Sequence, residues 1–289
     1  MSGCRGDYGM RHAIAMLALL VACAIHPAQA AEPAPFVVFN ALLQSGLPDL
    51  EPRGLHKMTG SGNLWRKGVS DRDVDEVGVR QATRFLRTIS DTYYFDIEHW
   101  ILLDSSEEQM SRDVAKFLQV AQIARSAVPD GKFGFYDVAP KRTYWAILLQ
   151  KDHPELLTQW RHMNELSAPI AAKADYVFPS LYTFYDDPKG WETAAIGVLA
   201  AARRLGKPVY PFLTFEFHNS NKELAGKQIP REFWRRELEI CRTYADGVVL
   251  WGGSGERWDE RAEWWLETQD FLQSLQRRPN NPGNPRVRH

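Results

Sequence analysis

Cysteine is scarce in this chain. Three occur in 289 residues, and two of them, Cys4 and Cys23, precede residue 30. Only Cys241 lies beyond, so no intrachain disulfide can tie the remainder together. Cys241 falls in a helical pattern and reads as a small buried hydrophobe. An excess of charge is also missing. Lys and Arg total 35 against 36 Asp and Glu, with a sequence pI near 6.7, which argues against a nucleic-acid partner. No His or Cys pair has metal-ligand spacing. No metal and no cofactor is therefore expected, and His99 and His218 read as rim or core residues. The segment after the first apolar run, Asn40-Ala41-Leu42-Leu43-Gln44, has no glycine and is no phosphate-binding loop. No repeat recurs at a fixed period of roughly 20–50 residues.

A membrane-spanning run is lacking too. The longest apolar stretch, Ala13 to Ile25, covers 13 residues, and a span needs about 20. Arg11-His12 precedes it and Ala28-Gln29-Ala30 follows, the order of a secretory signal peptide. Residues 1–30 are expected to be that signal, with Met10 as an alternative start. Leu20-Val21-Ala22-Cys23 also fits lipoprotein processing, which would leave a lipid anchor at Cys23. The expected address is secreted or periplasmic, or lipoprotein. Cleavage after Ala30 leaves 259 residues with a net charge of −2. Stability must then come from the core, which a domain this long can build.

What is present is alternation. Phe36-Val37-Val38-Phe39 is a continuous apolar run, as in a strand buried on both faces. Residues 44–75 are rich in Gly, Pro and Asp and predict loop with one short strand at most. Beyond them the pattern predicts helices over 76–89, 107–128, 144–150, 154–172, 191–205, 230–244 and 259–275. Between the helices it predicts strands over 93–98, 132–138, 175–181, 209–217 and 247–251. Such alternation implies a parallel sheet. The expected fold is α/β, a single-domain (β/α) TIM-like barrel of seven or eight strands over 31–276. A doubly wound open sheet is the alternative. Residues 277–289 carry four Arg, three Asn and three Pro and no acid, and predict a disordered basic tail.

The stretch Tyr93 to Trp100 carries the most chemistry. Asp96 and Glu98 are two apart, so on a strand they share a face. Two carboxylates at the end of an apolar strand are costly to desolvate, which points to use. In a barrel the working residues sit at the C-terminal strand ends. Those ends bring Asn40, Asp96 with Glu98, Tyr136 with Asp137, Tyr182, Glu216-Phe217-His218 and Trp251 to one rim. Aromatic faces stack on the apolar faces of sugars, and paired carboxylates serve glycoside hydrolysis. Two acids on one face raise each other's cost of ionisation, so one should hold a proton near neutral pH, the state a general acid needs. Glu98 is read as the acid and Asp96 as its neighbour. Plain packing is the competing reading for Trp251 and Tyr182, and a salt-bridged structural role for Glu216.

Five strings, in order, carry a family resemblance. Phe39-Asn40-Ala41-Leu42-Leu43-Gln44 resembles a W-N-A-P-T-Q opening. Phe95-Asp96-Ile97-Glu98-His99-Trp100 is similar to an I-D-W-E-x-W motif. Gly134-Phe135-Tyr136-Asp137 is similar to G-F-Y-G, Phe178-Pro179-Ser180-Leu181-Tyr182 to Y-P-S-I-Y, and Gly247-Val248-Val249-Leu250-Trp251 to G-V-V-L-W. Together they resemble the hyaluronidase (hyaluronoglucosaminidase) family of glycoside hydrolases, of the animal and venom kind. The resemblance implies a retaining, substrate-assisted cleavage of β-linked N-acetylhexosaminyl bonds. It implies Glu98 as acid/base, Asp96 as partner of the substrate's acetamido group, and substrate contacts at Tyr182, Trp251 and Tyr136.

The chain departs from that pattern in places. The family's disulfides are absent. Ile97 replaces a Trp and should point away from the cleft. A family tyrosine falls at Phe217, beside Glu216, and both are kept as substrate-binding candidates. The small negative charge offers no obvious basic groove for a polyanion, so a neutral N-acetylated glycan fits as well as an acidic polysaccharide. The alternatives are a chitinase-like or endo-N-acetylglucosaminidase barrel, for which the residues upstream of Asp96 fit poorly, and an inactive carbohydrate-binding barrel.

Overall fold

A computed structural model describes residues 34–100 and 106–277. The expected signal peptide, Cys23 and residues 278–289 of the expected tail lie outside the described residues. The strands are β1 (Val37–Leu42), β2 (His56–Lys57), β3 (Thr59–Ser61), β4 (Thr92–Phe95), β5 (Lys132–Phe135), β6 (Phe212–Thr214) and β7 (Gly247–Gly252). The helices are α1 (Glu76–Ile89), α2 (Glu107–Ala127), α3 (Trp145–Leu148), α4 (Pro154–Lys173), α5 (Pro188–Arg203), α6 (Arg231–Tyr244) and α7 (Glu263–Arg277).

Every ladder between these strands is parallel. One sheet has the order β2-β1-β7-β6 and the other β3-β4-β5. Two links close them into a ring. β2 runs into β3 through Met58, whose amide donates to the Asn40 carbonyl at 3.0 Å. Opposite, residues 177–180 pair Phe178 with Tyr136 on one side and Val177 and Ser180 with Val209 and Phe212 on the other. With β2 and β3 as one stave and 177–180 as another, seven staves close a (β/α) barrel. The open-sheet alternative is thereby removed.

Local chemistry explains where the expected strands shorten. Pro179 and Pro211 lack an N–H, so regular pairing breaks around each. Residues 177–180 therefore hold by isolated bridges, and β6 shrinks to three residues. β4 ends at Phe95 rather than Glu98, because its neighbours stop level with it at Ser61 and Phe135. The last ladder bond runs from the Asp96 amide to the Ser61 carbonyl at 3.1 Å. Asp96 and Glu98 thus lie just past the C-terminal end of β4, on the chain that leaves the barrel.

The strand alternation builds two apolar clusters. Tyr93, Phe95 and Ile97 join the cluster between barrel and helices. Tyr94 points inward with Phe39, Met58, Tyr136, Phe178, Phe212 and Val249. Phe212 sits among three rings, 4.8 Å from Tyr94, 5.0 Å from Tyr136 and 5.7 Å from Phe178, all at steep angles. Edge-to-face packing of this kind adds to simple burial. Gly60 makes room for it: a Cβ there would lie 2.3 Å from the Tyr94 ring. Cys241 is free and fully buried on α6. Among the described residues no helix is long and apolar enough to cross a membrane.

Candidate functional site

The chain past β4 sets up the two acids. Ile97 is buried on the helix side, as expected for a residue pointing away from the cleft. Asp96, half-buried, keeps the inward direction of Tyr94. Its Oδ1 is buried and has no hydrogen-bond partner among the described residues. Burial, and after it the charges of Glu98 and Asp137, push the Asp96 pKa up from 3.8 to about 6 against the opposing charge of Lys141. Asp96 therefore keeps its proton to a higher pH than an ordinary carboxylate. Glu98 is exposed, and its charge acts on both Asp96 and His218. The two acids share one mouth although neither lies within the strand.

Aromatic residues wall that mouth. The Tyr136 hydroxyl donates to Ser180 Oγ at 3.1 Å, and its ring lies 5.7 Å from that of Tyr182. Tyr182 stacks against Trp251, with ring centroids 5.7 Å apart and planes 20° from parallel. His218 lies near-parallel to Tyr182 at 6.1 Å and 28°. Trp251 contacts the Tyr94 hydroxyl through its side chain. Burial raises the phenols of Tyr94, Tyr136 and Tyr182 above their ordinary range. The Asp96 charge adds to this at Tyr94 and Tyr182, which places both in the field of Asp96. All stay neutral hydroxyls at physiological pH.

Behind Tyr182 the chain is anchored in the core. Thr183 Oγ1 donates to Glu237 Oε1 at 2.5 Å. Glu237 is completely buried on α6, and desolvation holds its pKa well above 4.5. Burial thus disfavours the ionised form of Glu237.

Of the two remaining candidates, one lands elsewhere and the other faces a partner outside the predicted set. Phe217 is buried in the helix-side cluster, 4% exposed, and does not line the mouth. The cause is alternation: Phe212 points inward, so odd-numbered residues of that stave point outward. Glu216 faces a second acid. Burial, a hydrogen bond to Glu256 and the charge of Glu256 together raise its pKa above the ordinary 4.5. Its partner is none of the other predicted site residues, and no ion pair secures it among the described residues.

The same alternation delivers His218, which the sequence reading left as a rim or core residue. Its imidazole pKa is lowered by burial and by the Arg142 charge, while Glu98 raises it. Lys141 and Arg142 were also not foreseen. Both bind Asp137, Lys141 Nζ at 2.9 Å and Arg142 Nη1 at 3.1 Å, and the Arg142 amide adds a third bond at 2.9 Å. Asp137 stands where the resembling family has glycine, and its φ is +51°. That backbone region favours glycine, and Asp tolerates it better than most residues. Two cations thus share one carboxylate beside the mouth.

Two cavities lie among the described residues. The larger, about 400 Å³, lies between β3 and α1 and touches none of the predicted site residues. The smaller, about 220 Å³, includes Tyr182 together with Arg142, Phe184 and Tyr185.

No protein-family model matches the sequence, and no curated protein matches it either. Solved structures do. Bee venom hyaluronidase superposes with a TM-score of 0.57 at 12% identity, covering 83% of this chain and 97% of that one. Bee venom hyaluronidase in complex with a hyaluronic acid tetramer gives 0.52 at 11% identity, covering 83% and 96%. At these identities the likeness is one of fold. It agrees with the ring of parallel staves: the chain is a (β/α) barrel of the architecture those enzymes use.

Proposed function

We propose that this protein is a retaining glycoside hydrolase that cleaves β-linked N-acetylhexosaminyl bonds with help from the substrate's own acetamido group. One observation carries the reading. A carboxyl group, Asp96, is held half-buried at the barrel mouth with an unpaired oxygen, in the field of an exposed Glu98, beside stacked Tyr182 and Trp251. A buried acceptor without a donor costs about 1–3 kcal/mol, and a substrate N–H would remove that cost.

In this mechanism Glu98 gives its proton to the glycosidic oxygen as the C–O bond breaks. The 2-acetamido carbonyl oxygen attacks the anomeric carbon from the opposite face and forms an oxazolinium ion. Asp96 accepts a hydrogen bond from the acetamido N–H, aligning the carbonyl and offsetting the developing positive charge. Water then opens the ring as Glu98 takes back a proton, so the anomeric configuration is retained. Tyr136 and Tyr182 line the acetamido side, and Trp251 offers a face for the sugar ring. A substrate of this class fits a secreted, periplasmic or lipid-anchored enzyme.

The test is Glu98→Gln assayed on chitin, chondroitin and hyaluronan oligosaccharides. Loss of a general acid lowers kcat by about 10²-fold or more. Turnover near the wild-type level on a substrate with a poor leaving group would overturn the assignment. Product analysis of the same digests names the glycan.

A further inference from the structure

We infer that the mouth extends into a second sugar-binding subsite, built by Trp145 and Tyr185, that receives a pyranose ring of the same glycan beyond the cleavage point. The inference rests on the glycosidase reading above and adds where the rest of the chain lies. Three rings cluster on the rim just after β5 and after the 177–180 stave. Tyr144 and Trp145 are 5.0 Å apart, Tyr144 and Tyr185 5.1 Å, and Trp145 and Tyr185 5.4 Å. Trp145 is 49% exposed and Tyr185 38% exposed. Large aromatic faces left open to water mark binding surfaces when they form one patch.

The patch is held in place. The Tyr144 hydroxyl donates to Asp187 Oδ2 at 2.8 Å, and Asp187 Oδ1 caps α5 by accepting from the Gly190 amide at 2.9 Å. A Cβ on Gly190 would sit 2.0 Å from Asp187 Oδ2 and 2.3 Å from the Tyr144 hydroxyl, so the residue is glycine where this bond must form. A rigid ring loses little entropy when it binds.

The patch is also continuous with the candidate active site. The cavity of about 220 Å³ is lined by Trp145 and Tyr185 and also by Tyr182, which stacks on Trp251. Arg142 lines the same cavity, its guanidinium 5.5 Å from the Phe184 ring centroid, and offers donors to sugar hydroxyls. Apolar faces with a few placed donors suit a pyranose better than a flat protein partner.

The experiment compares wild type with Trp145→Ala, Tyr185→Ala and Trp145→Phe on short and long oligomers, chitin tri- and hexasaccharide and hyaluronan tetra- and octasaccharide. The expected result is a fall of about tenfold in the long-to-short ratio of kcat/KM for each Ala variant, the scale of one lost aromatic contact. Trp145→Phe should retain the ratio. Titration in a Glu98→Gln background should show the same loss of affinity for long oligomers. An unchanged ratio, or an equal fall on short and long oligomers, overturns the subsite while leaving the glycosidase reading intact. If wild type neither binds nor cleaves any oligomer, the glycosidase reading falls and the subsite with it.

Discussion

Asp96→Asn removes a titrating group at the barrel mouth and keeps its shape. Folding holds the Asp96 carboxyl at about 6 against an ordinary 3.8. The unfolded chain gives up this proton first, as pH rises through 3.8, while the folded state keeps it until about 6. An acid shifted in this direction weakens the fold across that window, and the loss levels off above it. At 1.36 kcal/mol per pH unit the full cost is roughly 3 kcal/mol, attributable mainly to burial and then to Glu98. Asparagine carries no such cost. The variant should match wild type near pH 4 and exceed it by roughly 2–3 kcal/mol at pH 7. For a domain of this size that is about 5–10 °C in Tm. Urea unfolding of both proteins at intervals from pH 4 to pH 8 reads the gap directly. A gap that stays constant with pH, or a wild type that is the more stable at pH 7, would refute the claim that Asp96 is held against its own ionisation. Stability gained where activity is lost is the ordinary mark of a functional site.

Two further outcomes follow from the packing. Gly60→Ala places a methyl 2.3 Å from a Tyr94 ring that is wedged against Phe178 and Phe212, so thermal unfolding should show a loss of about 1–3 kcal/mol; an unchanged Tm would mean that the barrel interior is loose enough to absorb the methyl. Glu237→Gln should gain stability over wild type as pH rises above 4.5, because burial raises the native acid's pKa well above that value; denaturation at pH 5, 6 and 7 reads the trend, and a flat difference contradicts it.

Much of the barrel was readable along the chain. The apolar run of β1, the alternation around Tyr94 and the helical spacing of α1, α2 and α6 are local patterns, set by neighbours two to four residues away. Closure was less readable. The stave at 177–180 hangs on isolated bridges around Pro179, and the β2–β3 stave hides in a stretch of loop-like composition. Both exist because flanking strands supply partners from far along the chain. At the site, Asp96, Tyr136, Tyr182 and Trp251 were visible as residues at strand ends. Phe217 was misjudged because it was placed by analogy, whereas the inward parity of Phe212 assigns the mouth to His218. Lys141 and Arg142 escaped notice because nothing local ties them to a carboxylate at the end of β5.

By itself, then, the order of residues determined the repeating strand–helix rhythm, the rim on which acids and rings gather, and the direction in which Ile97 turns. These depend on backbone periodicity alone. Tertiary structure decided which of those groups meet. Ring closure brought Trp251 against Tyr182 and set Glu256 opposite Glu216. Burial then raised the Asp96 pKa. Proton affinity depends on the dielectric and charges of the assembled surroundings, and residues scattered over the chain acquire such surroundings only when the barrel is shut.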